Sequence, residues 1–235
     1  MIKSFLILII FPIFLFSSQQ IVLVVADDFN TSNAKLELIE DTNIILTTDV
    51  NIGRNGLGWG IGEKVLIQKK SDPIKKEGDK KAPAGIFKLT DIFGYDYNSN
   101  LKLPYLHTSK TLICVDDSKS NFYNQIIEKN GNEKSFEYMK RNDQQYKYGV
   151  TVLHNKQGIG EKGSCIFLHI QKGEKSATAG CTSMREEDLL KIINWLDKKK
   201  NPLLIQIPKS SGEEVKRLYP QLKSSKILPL SPFYL

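Results

Sequence analysis

The sequence is poor in cysteine, histidine and tryptophan, with three, three and two copies in 235 residues. No Cys-x-x-Cys or His-Glu-x-x-His pair occurs, so the short ligand spacing of a strong metal site is missing. Cys165, His169, Cys181 and His154 are the only set a metal reading can assemble, and none of its pairs has that spacing. No metal and no cofactor are expected. The Gly-rich run at residues 53–62 lacks the Gly-Lys-Ser/Thr ending of a phosphate loop. It reads instead as a loop or bulge where backbone approaches backbone, with Trp59 over the core or a substrate rim. Nothing resembles an interdomain linker. The net charge of +7 is dispersed instead of gathered into a patch, which argues against nucleic acid as a partner. The one lysine run, Lys198-Lys199-Lys200, fits the negative end of a helix.

Long apolar runs are also scarce, except at the start. Lys3 precedes an almost unbroken apolar stretch over residues 5–16, followed by Ser17-Ser18. Residues 1–19 therefore read as a signal peptide or an uncleaved N-terminal anchor, with possible membrane association. The stretch is shorter than the roughly 20 residues of a spanning helix, and Pro12 interrupts it. No cysteine follows it, which argues against a lipoprotein. The remainder is expected to be exported, to the periplasm or cell envelope. In an oxidising compartment an odd cysteine count leaves one thiol over. Cys114 and Cys165 lie in apolar, strand-like runs and can pair, leaving Cys181 free; the alternative is two buried thiols.

The residues present are those of a core-forming chain, 40% hydrophobic and 25% charged. Short β-branched runs dominate: residues 21–25, 35–40, 42–50, 65–68, 85–89, 111–115, 148–154, 165–170 and 203–207 read as strands. The fold class expected is mainly β with minor α, a sandwich-like sheet core carrying one well-defined helix. Residues 20–208 form the domain and residues 209–235 a C-terminal tail that packs on it or stays mobile. Residues 148–154 and 165–170 read as hairpin neighbours, bringing His154 towards His169. Asp117-Ser118 reads as a loop or N-cap leading into residues 122–129. Residues 121–148, polar and rich in tyrosine, read as an insertion flanking a cleft. Tyr95, Tyr97 and Tyr105 suit its rim. Glu77, Asp79 and Asp116 are weaker candidates for contact with substrate.

The stretch with chemistry in it is Ser164-Cys165-Ile166-Phe167-Leu168-His169, followed after a polar loop by Thr178-Ala179-Gly180-Cys181-Thr182-Ser183-Met184. A thiol becomes a useful nucleophile when a neighbouring imidazole takes its proton, and a helix N-terminus lowers its pKa further. Ser183 with Glu186 three residues on reads as a capping box, followed by Glu187 and Asp188 in the first turn. Leu189, Ile192, Ile193 and Leu196 recur at helical spacing, and Asn201-Pro202 stops the helix. Cys181 would then lie about two residues before an N-cap, where outward N–H groups can hold an oxyanion. The bland alternative is a buried apolar cysteine and a satisfied core histidine.

Thr178-Ala179-Gly180-Cys181 with the upstream His169 resembles the catalytic motif of the L,D-transpeptidase (YkuD-like) family, His then Ser/Thr-x-Gly-Cys. Residues 76–87, ending Pro83-Ala84-Gly85-Ile86-Phe87, are similar to the family's Thr-Pro-x-Gly-x-Phe segment. The likeness runs from about residue 20 to 208 and includes residues 53–60 and Cys114-Val115-Asp116-Asp117, as in a divergent branch. Three features differ: Ile170 stands where the family has Gly, the His-to-Cys gap is shorter, and Ser183 replaces an Arg or Asn. The resemblance implies acyl transfer on peptidoglycan stem peptides through a Cys181 thioester. His169 would be the acid–base group, Gly180 and neighbouring N–H groups the oxyanion hole. Thr178, Ser183, His154 and Asp116 would bind substrate or support the site. An L,D-carboxypeptidase or other amide hydrolase, with water as acceptor, is the alternative within this chemistry; a non-catalytic envelope-binding module is the alternative outside it. The oligomeric state is not written in the sequence.

Overall fold

A computed structural model of the chain describes residues 18–96 and 100–229. The apolar leader at residues 1–17, Tyr97 and the apolar end Phe233-Tyr234-Leu235 lie outside them. The described chain is mainly β. Strands β1 (Gln20–Ala26), β2 (Asn33–Glu40) and β3 (Asn43–Asn51) form an antiparallel meander. The short β4 (Leu57–Trp59) pairs in parallel with the long β5 (Ala82–Gly94), which also takes β6 (Tyr105–His107). A separate three-stranded sheet comes from β7 (Leu112–Val115), β8 (Ile126–Glu128) and β9 (Phe136–Tyr138). The main sheet is completed by β10 (Tyr148–Val152), β11 (Phe167–Ile170), β12 (Thr182–Met184) and β13 (Leu203–Pro208). Its order is β10-β11-β12-β3-β2-β1-β13-β5-β4, and β10 also pairs with β5. The path thus closes on itself, which removes most exposed edges from the layers around the core.

The central strands follow their sequence. All of β1 and β13 is buried, which explains their largely apolar sequences, since β13 pairs in parallel with β1 and antiparallel with β5. Leu189, Ile192, Ile193 and Leu196 bury the inner face of helix α1 (Glu186–Trp195), each worth roughly 1.5–3 kcal/mol. Thr48 on β3 donates to the buried Asp188 carboxylate at 2.8 Å and ties the helix to the sheet. The tail packs: Val215 on α2 (Gly212–Leu218), Tyr219, Leu222 and Leu228 join the main core, and the Ser225 hydroxyl donates to Glu37 at 2.7 Å.

Three expectations are corrected here. Ser183 is not an N-cap: it lies in β12, and α1 is preceded by Arg185, which makes no side-chain cap bond. Strand pairing of β12 with β11 and β3 outcompetes the local capping pattern. The Lys198–Lys200 run forms its own 3-10 turn capped by Asp197, beyond the end of α1. Residues 65–68 are not a strand; Leu66 is buried but Val65 and Ile67 are 88% and 69% exposed. Of the two readings of Asp117-Ser118 the loop holds: the Asp117 carboxylate accepts from the Lys119 N–H, and the chain goes on into β8.

Candidate active site

The parallel pairing of β11 with β12 builds the site. Leu168 lies level with Thr182 and His169 with Ser183. Cys181, just before β12, therefore sits beside Phe167, whose N–H points at the Cys181 sulfur at 3.4 Å. Side chains repeat every second residue, so Phe167 and His169 share a face. Neighbouring strands about 4.8 Å apart with a two-residue offset put the Cys181 and His169 Cα atoms roughly 8 Å apart. Both side chains line one cleft of about 430 Å³.

The loop before Cys181 is held from both sides. The Thr178 hydroxyl donates to the Cys181 carbonyl at 2.6 Å and accepts the Gly180 N–H at 3.0 Å. The Thr178 backbone exchanges bonds with Ile52 and Arg54, so the end of β3 and the Gly-rich run cradle the loop. A Cβ at Gly53 would stand 2.5 Å from the Ala82 nitrogen, which is why that run must be glycine-rich. Gly180 has φ +154° with the Lys81 carbonyl 3.1 Å from where a Cβ would be, so residues 76–87 meet the loop before Cys181 here. The Gly180 N–H thus points to Thr178 and not into the cleft; the Cys181 N–H has no acceptor among the described residues.

Cys114 and Cys165 form a disulfide and Cys181 is the free cysteine. Cross-linking residues 51 apart stabilises by about 4 kcal/mol in the chain-entropy picture. It leaves Cys165 no thiolate for a metal, and fixes the segment before β11, where the Cys165 carbonyl accepts the Cys181 S–H at 3.5 Å. The thiol is 7% exposed. Burial first, then the negative charge of Glu137, push it up to about 12. A helix terminus does not lower it, because β12 stands between Cys181 and α1. His169 is 5% exposed and burial pushes it down to about 4. Its Nδ1 lies 2.8 Å from the Ile170 carbonyl. With the ring neutral, Nδ1 donates there and Nε2 keeps its lone pair. Nε2 has no hydrogen-bond partner among the described residues, so the lone pair is available as a base.

The supporting candidates divide. Asp116 lines the cleft, with one carboxylate oxygen buried and unpartnered. Ser183 is buried in register with His169, but its hydroxyl has no partner and supports nothing. His154 is a core histidine. Its Nδ1 accepts the Ile61 N–H at 3.3 Å, Nε2 bonds the Lys162 carbonyl at 3.0 Å, and the ring meets Phe87 edge-on. The hairpin of β10 and β11 forms as expected, yet the chain turns away after Val152, so His154 does not reach the cleft. Glu77 lines it, accepting from Tyr123 at 2.5 Å and Ser164 at 2.7 Å. Asp79 instead binds the buried Lys75 at 2.6 Å and closes the turn. Trp59 is core, with its indole N–H on Asp72. Tyr95 brackets Arg141, accepting its N–H and donating to its carbonyl.

Three cleft residues carry no motif: Glu137, Arg141 and Tyr146. They come from the segment read as an insertion, which told the region but not the residues. Tyr146 is 4% exposed, and its hydroxyl donates to Glu137 at 2.7 Å. Its ring meets His169 edge-on at 5.2 Å. Arg54, Lys80 and Lys172 give the mouth a basic rim. A larger concavity of 710 Å³ lies over β2 and β3, but neither cysteine nor histidine lines it.

Neither a curated protein nor a solved structure matches the chain. A family model does: that of the L,D-transpeptidase catalytic domain, YkuD, matches residues 23–207, the stretch from β1 to β13 that carries the cleft, its histidine and its free thiol. The chain belongs to the L,D-transpeptidase catalytic-domain family.

Proposed function

We propose that the protein is an exported cysteine acyltransferase that acts on the stem peptides of peptidoglycan. The observation that carries this reading is a free thiol and an imidazole with an unengaged nitrogen in one cleft. His169 Nε2 takes the Cys181 proton as the sulfur attacks the carbonyl of an L,D peptide bond. The oxyanion faces the Cys181 N–H. As the tetrahedral adduct collapses, His169 protonates the leaving amine of the C-terminal D-residue, and a thioester remains. An acceptor amine then attacks the thioester, His169 takes its proton and returns it to the leaving Cys181 sulfur, and a new amide is formed. Thiol and imidazole both rest neutral, so charge develops only when substrate fills the cleft.

The basic rim of Arg54, Lys80 and Lys172 favours a peptide that ends in a carboxylate. Export is supported by the apolar leader and by the disulfide, a bond that persists in oxidising compartments. Incubating the mature protein with tetrapeptide muropeptides and resolving the products by mass tests the reading. Cross-linked dimers are expected. Shortened tripeptides alone would make water the acceptor, and unchanged substrate would remove the enzymatic reading.

A further inference from the structure

The mechanism above leaves one problem unsolved. The Cys181 sulfur, once ionised, sits buried opposite the Cys165 carbonyl that accepted its proton. An ionised sulfur there needs donors, because an unpaired buried charge costs several kcal/mol. The Phe167 N–H supplies one. Tyr146 and Cys181 line the same cleft and belong to one buried cluster, and the phenol acts on the thiol as a hydrogen-bond donor that lowers its pKa. In the resting state that hydroxyl donates to Glu137. The Tyr146 ring is fixed by edge-on contacts to Phe167 at 5.5 Å, His169 at 5.2 Å and Phe93 at 5.8 Å, with the Arg141 guanidinium over it at 5.0 Å. Its ring meets His169, and it shares the cleft with Cys181, so the O–H is the part of the side chain left to turn.

We propose that Tyr146 is a further catalytic residue, turning its hydroxyl from Glu137 to the Cys181 sulfur as His169 takes the thiol proton, with Glu137 as the positioning residue that governs this turn. The inference rests on Cys181 being the nucleophile. No covalent bond of Tyr146 breaks; its proton changes acceptor. Ionised Glu137 holds the phenol proton and sets its own charge against the thiolate. Protonated Glu137 donates to the phenol oxygen instead and leaves the phenol proton for sulfur. Burial raises the Glu137 pKa and the charges of Asp116 and Glu77 add to it, while the hydrogen bond from Tyr146 and the charge of Arg141 oppose them. Lys75 acts on Cys181 itself, favouring the thiolate.

The test is the rate of Cys181 alkylation by iodoacetamide across pH, in the full chain with its disulfide intact, read by peptide mass. Tyr146→Phe should slow alkylation about tenfold at a given pH, an upward shift of about one unit in the profile. Glu137→Gln should speed it, because the amide donates to the phenol oxygen and removes the charge. Tyr146→Phe alkylating within twofold of the parent, or Glu137→Gln slowing the reaction or leaving it unchanged, overturns the proposal. Should Tyr146→Phe fail the thermal-unfolding control, Glu137→Gln decides alone: acceleration supports, slowing or no change overturns. The outcome is separable from the proposed function. A parent protein that is acylated by stem peptide, with alkylation indifferent to both variants, keeps the nucleophile and loses this role for Tyr146.

Discussion

His154 and His169 are buried alike and both are held near 4 by burial, yet they sit in opposite kinds of surroundings. His154 has partners on both ring nitrogens and a phenylalanine against its edge, in a niche with no nucleophile. His169 has one nitrogen on a carbonyl, while the other faces a cleft shared with a free thiol. Burial and a shifted pKa therefore do not tell the two apart. The unengaged nitrogen does, and with it the neighbour that it can serve.

The sharpest break in this comparison is by substitution. His169→Ala should lower acyl transfer by roughly 10²–10⁴-fold, the usual worth of a positioned acid–base group, and shift the melting temperature little. His154→Ala should do the reverse. It removes a packed ring and two hydrogen bonds, for about 3 kcal/mol of stability, while activity per folded molecule stays within a few-fold. Paired activity and thermal-unfolding measurements on the two variants read both effects.

Acid should act on the two histidines equally. Each binds its proton near pH 6.5 when unfolded and near 4 when folded, so between those values the unfolded chain holds more protons. Stability is fully present above about pH 6.5 and falls as pH drops towards 4, by on the order of 3 kcal/mol per histidine. Denaturant unfolding at pH 7 and pH 4.5 should show the loss, and either His→Asn variant should shrink it. A loss unchanged in both variants would mean that neither ring is buried neutral.

The loop that presents Cys181 should give the smallest effects. Gly180→Ala meets the Lys81 carbonyl at an unfavourable φ and should cost about 1–2 kcal/mol with a larger loss of activity. Thr178→Val, which removes the bonds to Cys181 and Gly180, should cost about 1 kcal/mol. Thermal unfolding beside alkylation rates would separate a displaced thiol from a weakened fold.

The comparison also shows what the sequence made legible. β1, β3 and the β10–β11 hairpin were readable because burial writes itself as periodicity, and His169 and Cys181 because their motif is local. His154 looked as suggestive, since it follows an apolar run and the hairpin does form; only the turn after Val152 sends it elsewhere. Ser183 was misleading because its local pattern fits a helix cap while two strands claim it. Glu137 and Tyr146 were invisible as a pair: nine residues apart in a polar segment, they meet only because β9 pairs with β7 and β10 with β11.

The central claim is that Cys181 is a nucleophile served by His169. Intact-mass measurement after incubation with a carbapenem-type acylating reagent tests it most directly, with peptide mapping of any adduct. The account predicts one adduct, on Cys181, formed at the parent rate in His154→Ala and far more slowly in His169→Ala. An unmodified Cys181, or equal rates in the two histidine variants, would contradict it.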